Sequence, residues 1–124
     1  MLNTIQTVKS PKFLIITPLK KGDKISKETK KMVKRNNTPF NWVSYQDNFN
    51  IPTNTTYGIS SYAEQMGDIP KYLIKLDNDI YPERGLLDEM YNVLSVSQDN
   101  IAYTYCPFKY ILPGGREIVF NRGF

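Results

Sequence analysis

The chain has 124 residues, a net charge of +4 and 40% hydrophobic residues, which indicates one folded domain and excludes a disordered chain. A single cysteine and the absence of histidine exclude a disulfide framework, Ser-His-Asp catalysis and histidine-zinc sites. The longest apolar run, residues 13–16, is too short to span a bilayer, and the first residues lack a signal-peptide pattern. We therefore expect a cytoplasmic protein without a transmembrane segment.

The first half of the chain alternates apolar and helical patterns. We expect residues 1–12 to be an N-terminal tail, followed by a single α/β domain over residues 13–124. The run FLIIT at 13–17, closed by Pro18, predicts a strand buried on both faces. A basic helix follows, from an N-cap at Ser26 to Arg35. Residues 41–46 predict a second strand, residues 47–56 a long polar loop, and residues 58–66 a second helix.

The second half continues the alternation. Residues 72–76 predict a third strand, residues 85–96 an amphipathic helix and residues 101–105 a fourth strand. Residues 108–112 and 117–120 flank the sequence PGGR as the two strands of a hairpin. Strands alternating with helices predict an α/β fold with a mainly parallel sheet flanked by helices, and with a C-terminal hairpin.

Much of the positive charge lies in residues 20–35, which contain eight cations and only two carboxylates. The cations are Lys20, Lys21, Lys24, Lys27, Lys30, Lys31, Lys34 and Arg35. A helix with a solvated lysine face is the main interpretation. Nucleic acid, a membrane surface and a lipid-linked phosphate acceptor are alternative partners that the sequence leaves open.

Two carboxylates follow the third predicted strand. Side chains two residues apart share a face of an extended chain, so Asp77 and Asp79 would point to one side and Asn78 away from it. Magnesium or manganese is typically held by one or two carboxylates, with water and substrate phosphates completing the octahedron. The triplet therefore predicts a metal-chelated phosphate ligand, although Asp-Asn-Asp is also common turn chemistry.

Polar residues also follow the other predicted parallel strands, and ligands of such sheets bind beyond the carboxyl ends of the strands. The candidate residues at these ends are Thr17, Pro18, Lys20, Gln46, Asp47, Asp77 and Asp79. Neither a Gly-x-Gly-x-x-Gly fingerprint nor a P-loop is present, which disfavours dinucleotide oxidoreductases and P-loop enzymes. We expect the three strand ends to form one crevice.

From residue 13 to residue 120 the chain resembles the nucleotide-sugar-binding half of GT-A-fold glycosyltransferases, most closely the family 2 inverting enzymes. The segment FLIITP resembles the opening strand of that Rossmann-like fold, and YLIKLDNDIYP resembles its metal-binding DXD motif. The resemblance implies that Asp79 ligates Mn²⁺ or Mg²⁺ on the diphosphate of a nucleotide sugar, with UDP as the expected nucleotide. It implies that Asp77 contacts the ribose or the metal shell. It also implies that Thr17-Pro18 and Gln46-Asp47 lie beside the nucleoside.

Members of that family usually supply a catalytic base from beyond the hairpin, where this chain ends. Glu117 is the only carboxylate after Asp99, so it is the candidate base. Otherwise the chain is a truncated form that binds donor without efficient transfer, or a partner chain supplies the base. The expected acceptor is a hydroxyl of a glycan, a lipid-linked compound or a protein, and an oligomer is possible. The alternative functions are a nucleotidyltransferase-like enzyme and a basic nucleic-acid-binding module without catalysis.

Overall fold

The computed structural model describes residues 1–96, 108–111 and 114–120, and the chain forms two compact units, Met1–Tyr91 and Asn92–Phe124. The elements are β1 (Leu2–Gln6), β2 (Phe13–Leu19), α1 (Lys27–Val33), β3 (Phe40–Gln46), α2 (Ile51–Met66), β4 (Tyr72–Lys75), α3 (Leu86–Val96), β5 (Phe108–Ile111) and β6 (Glu117–Phe120). No helix within these described ranges has the length and apolarity needed to cross a membrane. The strand expected at residues 101–105 lies outside the described residues.

A four-stranded mixed sheet forms the centre of the first unit, with the strand order β1-β3-β2-β4. The strand β2 is parallel to both β3 and β4, whereas β1 is antiparallel to β3. The α/β class is confirmed, and the sheet is mixed because the first strand runs against the others. Residues 1–12, expected as a tail, therefore supply an edge strand.

The central strand β2 is buried along its whole length, and its residues alternate between two apolar clusters. One cluster contains Phe13, Ile15, Val33, Phe40, Trp42, Leu76 and Leu87. The other contains Leu14, Ile16, Val43 and Tyr62. Helix α1 and the start of α3 thus cover one face of the sheet, and α2 covers the other. Burial on both faces explains why β2 is a continuous apolar run rather than an alternating one.

Helix α2 begins seven residues before the predicted start, so the prediction of a loop over residues 47–56 is wrong from Ile51 onward. The side chain of Asn50 caps the helix by accepting the N–H of Thr53 at 2.8 Å, and Pro52 lies in the first turn. Proline is tolerated there because the first N–H groups of a helix have no internal partner. The polar first turns lack an apolar stripe, which is why the sequence predicts a loop.

The close approach of α2 to the sheet requires a glycine. A Cβ atom at Gly58 would lie 3.0 Å from Cβ of Tyr45 and 3.3 Å from Cγ2 of Ile16. Contacts this short leave no room for a side chain between the helix and the strands β2 and β3. Gly58 therefore fixes the spacing of the layer that α2 forms.

Helix α1 begins as predicted, with the Ser26 hydroxyl accepting the N–H of Thr29 at 3.0 Å. Residues 36–38, which follow α1, and the start of α3 exchange hydrogen bonds between side chains and backbone N–H groups. The Asn36 side-chain oxygen accepts the N–H groups of Leu87 and Asp88, at 3.0 and 3.2 Å. In return, the Asp88 carboxylate accepts the N–H groups of Asn37 and Thr38, the shortest at 2.7 Å.

This exchange sets the acidity of Asp88. Burial raises the pKa of its carboxyl, but the hydrogen bonds from the Thr38 side chain and from the backbone of Asn37 and Thr38 outweigh burial. The pKa of Asp88 therefore lies below its ordinary value. Hydrogen bonds to a carboxylate favour its charged form. The bonds that Asp88 accepts from Asn37 and Thr38 are therefore strongest when Asp88 is ionised.

The second unit contains the predicted hairpin, which is confirmed. The strands β5 and β6 are antiparallel, with Phe108 opposite Phe120 and Ile111 opposite Glu117. Between them, Gly114 and Gly115 have φ values of 90° and 86°. Only glycine adopts this left-handed region without strain, which accounts for the Gly-Gly pair in the turn.

Candidate functional site

The carboxyl ends of β2, β3 and β4 lie at one edge of the sheet, which we call the carboxyl edge. Leu19 at the end of β2 is opposite Gln46 at the end of β3, and the N–H of Leu76 donates to the Ile16 carbonyl at 2.9 Å. Asp47 and Asp77 therefore both follow strands at this edge. With strands about 4.8 Å apart and a rise of about 3.3 Å per residue, the register places their Cα atoms roughly 12 Å apart.

The Gln46 side chain holds the turn that leads from β2 towards α1. Its Nε2 donates to the carbonyl oxygens of Lys20 and Asp23, both at 3.0 Å. The Asp23 carboxylate accepts the Lys20 N–H at 3.1 Å, and Gly22 has a φ of 91°. Gln46 is thus engaged within the fold, while the side chain of Lys20 is exposed.

Asp47 is partly buried and borders a depression of about 400 Å³ at the carboxyl edge. Its N–H donates to the Leu19 carbonyl at 3.2 Å, and its carboxylate accepts the Asn48 N–H at 2.7 Å. The residues around the depression are Met1, Lys21, Gly22, Gln46, Asp47 and Asn48. A lysine, a carboxylate and side-chain amides thus lie around this depression.

The candidates Thr17 and Pro18 are buried within β2. The Thr17 hydroxyl accepts a hydrogen bond from Trp42 Nε1 at 2.9 Å, and the side chains of Thr17 and Trp42 are completely buried. This bond satisfies the indole N–H inside the core, as a buried polar group requires. The Thr17 hydroxyl is therefore engaged inside the core, and residues such as Lys20 and Asp47 form the surface of the carboxyl edge.

The segment from Asp77 to Ile80 is a turn, so the prediction of an extended Asp77-Asn78-Asp79 segment is wrong. The strand β4 ends at Lys75, and Asn78 and Asp79 occupy the turn. The Asp77 carboxylate forms an ion pair with Lys75 Nζ at 3.1 Å, with both side chains about half exposed. Asp79 is exposed.

Asn78 anchors this turn to the start of α1. Its Nδ2 donates to the Lys24 carbonyl at 3.0 Å. Its own carbonyl accepts the Ser26 N–H at 3.2 Å and the Thr29 hydroxyl at 3.3 Å. The central residue of the triplet thus faces the helix, while the two aspartates remain at the surface.

The turn offers two carboxylates to a metal ion. Within the described parts of the chain, no group of three or more histidine, cysteine, aspartate or glutamate side chains is placed to hold one. Magnesium is nevertheless often bound through one or two carboxylates, with substrate phosphates and water as the other ligands. Asp77 and Asp79 are the two carboxylates that this turn presents at the surface.

Asn54 of α2 is a residue of this edge that the sequence analysis misses. It is completely buried, and its Nδ2 lies 2.9 Å from the Leu19 carbonyl, 3.1 Å from that of Asp47 and 3.2 Å from that of Phe49. Its Oδ1 has no hydrogen-bond partner among the described residues. The three carbonyls fix the amide orientation, because the reverse orientation would set oxygen against oxygen. An asparagine in a polar run gives no sequence signal for this role.

A second depression, of about 300 Å³, lies at the opposite edge of the sheet, where β2 and β3 begin. Asn41 and Tyr62 border it and are joined by a buried hydrogen bond of 2.7 Å. It contains none of the predicted site residues. The candidate base Glu117 is the first residue of β6, in the second unit, and its side chain is exposed.

Comparison of the chain with models of protein families, with curated proteins and with solved structures gives no match. The resemblance to glycosyltransferases therefore depends on the residues and their placement alone.

Proposed function

We propose that this chain is the donor-binding domain of a glycosyltransferase, which binds a nucleoside-diphosphate sugar through a divalent metal. One observation carries the proposal: Asp47, Asp77 and Asp79 all follow parallel strands at the carboxyl edge. Ligands of α/β sheets bind beyond that edge. The exposed pair of carboxylates supports a metal-diphosphate ligand there, and a UDP-sugar is the donor that we propose.

Each residue of the carboxyl edge then has a distinct role. Asp79, with Asp77, holds Mn²⁺ or Mg²⁺, and Asp47 binds the nucleoside part of the donor beside the turn that Gln46 holds. Lys20, exposed at the end of β2, supplies positive charge for the phosphates. When bound, the metal neutralises the charge that develops on the leaving diphosphate.

The ion pair between Lys75 and Asp77 fits this proposal. A half-exposed ion pair contributes only about 0–1 kcal/mol, so a divalent cation can displace the lysine from the carboxylate at small cost. In the absence of the metal, Lys75 partly neutralises the Asp77 carboxylate.

Binding of UDP, measured by isothermal titration calorimetry with Mn²⁺ or with EDTA, tests the proposal. Asp79→Asn removes a negative charge from the metal site, so we expect UDP affinity in Mn²⁺ to fall at least about tenfold while the affinity in EDTA stays unchanged. The matched control is Asp68→Asn, which removes an exposed carboxylate at the opposite edge of the sheet. Equal affinities for wild type, Asp79→Asn and Asp68→Asn would overturn the metal site.

Turnover is a separate question, and Glu117 is the residue to test. General-base catalysis contributes about 10²–10⁴ in rate, so a chain without a base binds donor and transfers sugar very slowly. We expect UDP release from a UDP-sugar to be slow and unaffected by Glu117→Gln. Fast turnover that Glu117→Gln abolishes would instead assign the base to Glu117.

Product analysis and salt titrations separate this function from its alternatives. A nucleotidyltransferase consumes a nucleoside triphosphate and releases pyrophosphate, whereas a glycosyltransferase releases the nucleoside diphosphate. A nucleic-acid-binding module loses affinity steeply as salt is added, because lysine contacts to phosphates release counterions. Nucleotide binding that EDTA weakens and moderate salt preserves favours the donor-binding domain over a nucleic-acid-binding module.

A further inference from the structure

The cations from residue 20 to residue 35 are all exposed, and we call them together the basic surface. Its members are Lys20, Lys21, Lys24, Lys27, Lys30, Lys31, Lys34 and Arg35. All eight are exposed, and no ion pair among the described residues involves any of them. Their charge is therefore available to a partner rather than consumed within the fold.

The geometry of α1 places this charge on its outward side. At about 100° per residue, Lys27, Lys30, Lys31 and Lys34 lie within an arc of about 100°. Thr29 and Val33, which are completely buried, lie on the opposite side. The buried side attaches α1 to the sheet, and the lysine side faces away from it.

Two exposed apolar side chains lie in the segment that is anchored to the start of α1. Ile80 and Tyr81 are 45% and 51% exposed, and they directly follow the turn in which Asn78 bonds to Ser26 and Lys24. Exposed aliphatic and aromatic side chains beside a lysine cluster are typical of proteins that lie on an anionic membrane surface.

We propose that the basic surface, with Ile80 and Tyr81, docks onto a bilayer that contains anionic phospholipid. Seven of the eight cations are lysines, which act as point charges towards a diffuse anionic surface. Arginine is the residue preferred for bidentate contacts to phosphates and bases, and only one is present. The hydrocarbon boundary of a bilayer can bury Ile80 and Tyr81 together, whereas a nucleic acid without distortion of its base stacking offers Ile80 no apolar surface. These two observations favour a membrane over nucleic acid.

Sedimentation with vesicles tests the proposal, using phosphatidylcholine alone and phosphatidylcholine with about one-third phosphatidylserine. We expect the protein to bind only the anionic vesicles. Each lysine near such a surface contributes about fivefold in affinity, so the triple variant Lys27→Gln, Lys30→Gln, Lys31→Gln should bind about 100-fold more weakly. Glutamine is nearly as good a helix former as lysine, so the far-ultraviolet circular dichroism of the variant should match that of wild type.

Two controls locate the interaction. Lys9→Gln, Lys12→Gln, Lys71→Gln removes the same charge from exposed positions outside the basic surface and should change vesicle binding far less. The double variant Ile80→Ser, Tyr81→Ser should weaken binding about tenfold through lost apolar burial. Leu73→Ser, at a leucine that is 48% exposed on β4, should leave it within twofold of wild type.

Three results would overturn the proposal. The first is equal binding to neutral and anionic vesicles by the wild-type protein, which needs no variant. The second is an equal loss in the two triple variants, because it would show an effect of net charge without a defined surface. The third is tighter binding to a single-stranded oligonucleotide than to anionic vesicles at the same salt concentration, which would assign the basic surface to nucleic acid.

Discussion

Replacing Asn54 by alanine should cost about 2–3 kcal/mol of the free energy of unfolding, mainly through lost hydrogen bonds at the carboxyl edge. The Asn54 amide group has two hydrogens for three carbonyl oxygens, which lie 2.9–3.2 Å from Nδ2. The three contacts therefore amount to about two full bonds, each worth about 0.5–1.5 kcal/mol, and a buried acceptor left unpaired adds to the loss. Alanine recovers roughly 0.6 kcal/mol through its higher helix propensity.

The substitution Asn54→Asp should be more damaging at neutral pH, although it preserves the shape of the side chain. It sets a carboxylate oxygen against the carbonyls of Leu19, Asp47 and Phe49, and it buries a charge without a partner. Burial raises the pKa of such a group, and the protonated carboxyl can donate one hydrogen bond. The stability deficit of Asn54→Asp relative to Asn54→Ala should therefore shrink as the pH is lowered.

Urea denaturation provides the assay, because the single tryptophan, Trp42, is completely buried and reports unfolding by fluorescence. The matched control is Asn50→Ala, which removes the N-cap of the same helix at an exposed position and should cost about 1 kcal/mol. If Asn54→Ala costs no more than Asn50→Ala, the three contacts to Nδ2 do not hold the carboxyl edge.

Three further predictions concern the contacts that fix the helices. Asp88→Asn should cost about 1 kcal/mol of the free energy of unfolding near neutral pH. The difference from wild type should vanish as the pH falls through the lowered pKa of Asp88, because only the ionised carboxylate stabilises the fold. Urea denaturation at several pH values measures this difference. Gly58→Leu should cost about 3 kcal/mol or more through overpacking against the sheet, whereas Ser60→Leu, at an exposed position of the same helix, should change the melting temperature little. Asn78→Ala should speed amide hydrogen exchange at Ser26, and an unchanged rate would show that the Asn78 side chain does not anchor the turn.

The strand β2 is predictable from its composition because it is buried along its whole length. A strand covered by helices on both faces has no polar side, so its sequence is a continuous apolar run, as in residues 13–16. The strand β1 escapes the same reasoning because it lies at the sheet edge and its register shifts between Thr4 and Gln6. Leu2 packs against one apolar cluster and Ile5 against the other. The sequence of β1 therefore lacks the alternation of apolar and polar residues that would predict a strand.

Helix α2 shows a different limit of sequence prediction. Its early turns are buried through Asn54 and Gly58 rather than through large apolar residues, so the usual periodic stripe is absent. Asparagine and glycine are both poor helix formers, and each is present for a tertiary reason: one bonds three carbonyls of the carboxyl edge and the other admits the helix to the sheet. Such reasons depend on contacts distant in sequence and cannot be read from local propensity.

The Asp77-Asn78-Asp79 triplet predicts either a turn or a metal site, and the structure shows the turn. The extended geometry that would aim both carboxylates in one direction is absent, because the chain turns at Asn78. The turn is nevertheless attached to α1 through three hydrogen bonds of Asn78, and both aspartates are left with exposed surface. Asn78, which bonds to residues at the start of α1, can hold Asp77 and Asp79 in place without contacting a ligand itself. In the metal titrations, Asn78→Ala should therefore weaken UDP binding less than Asp79→Asn does, and it should do so by loosening the turn rather than by removing a ligand.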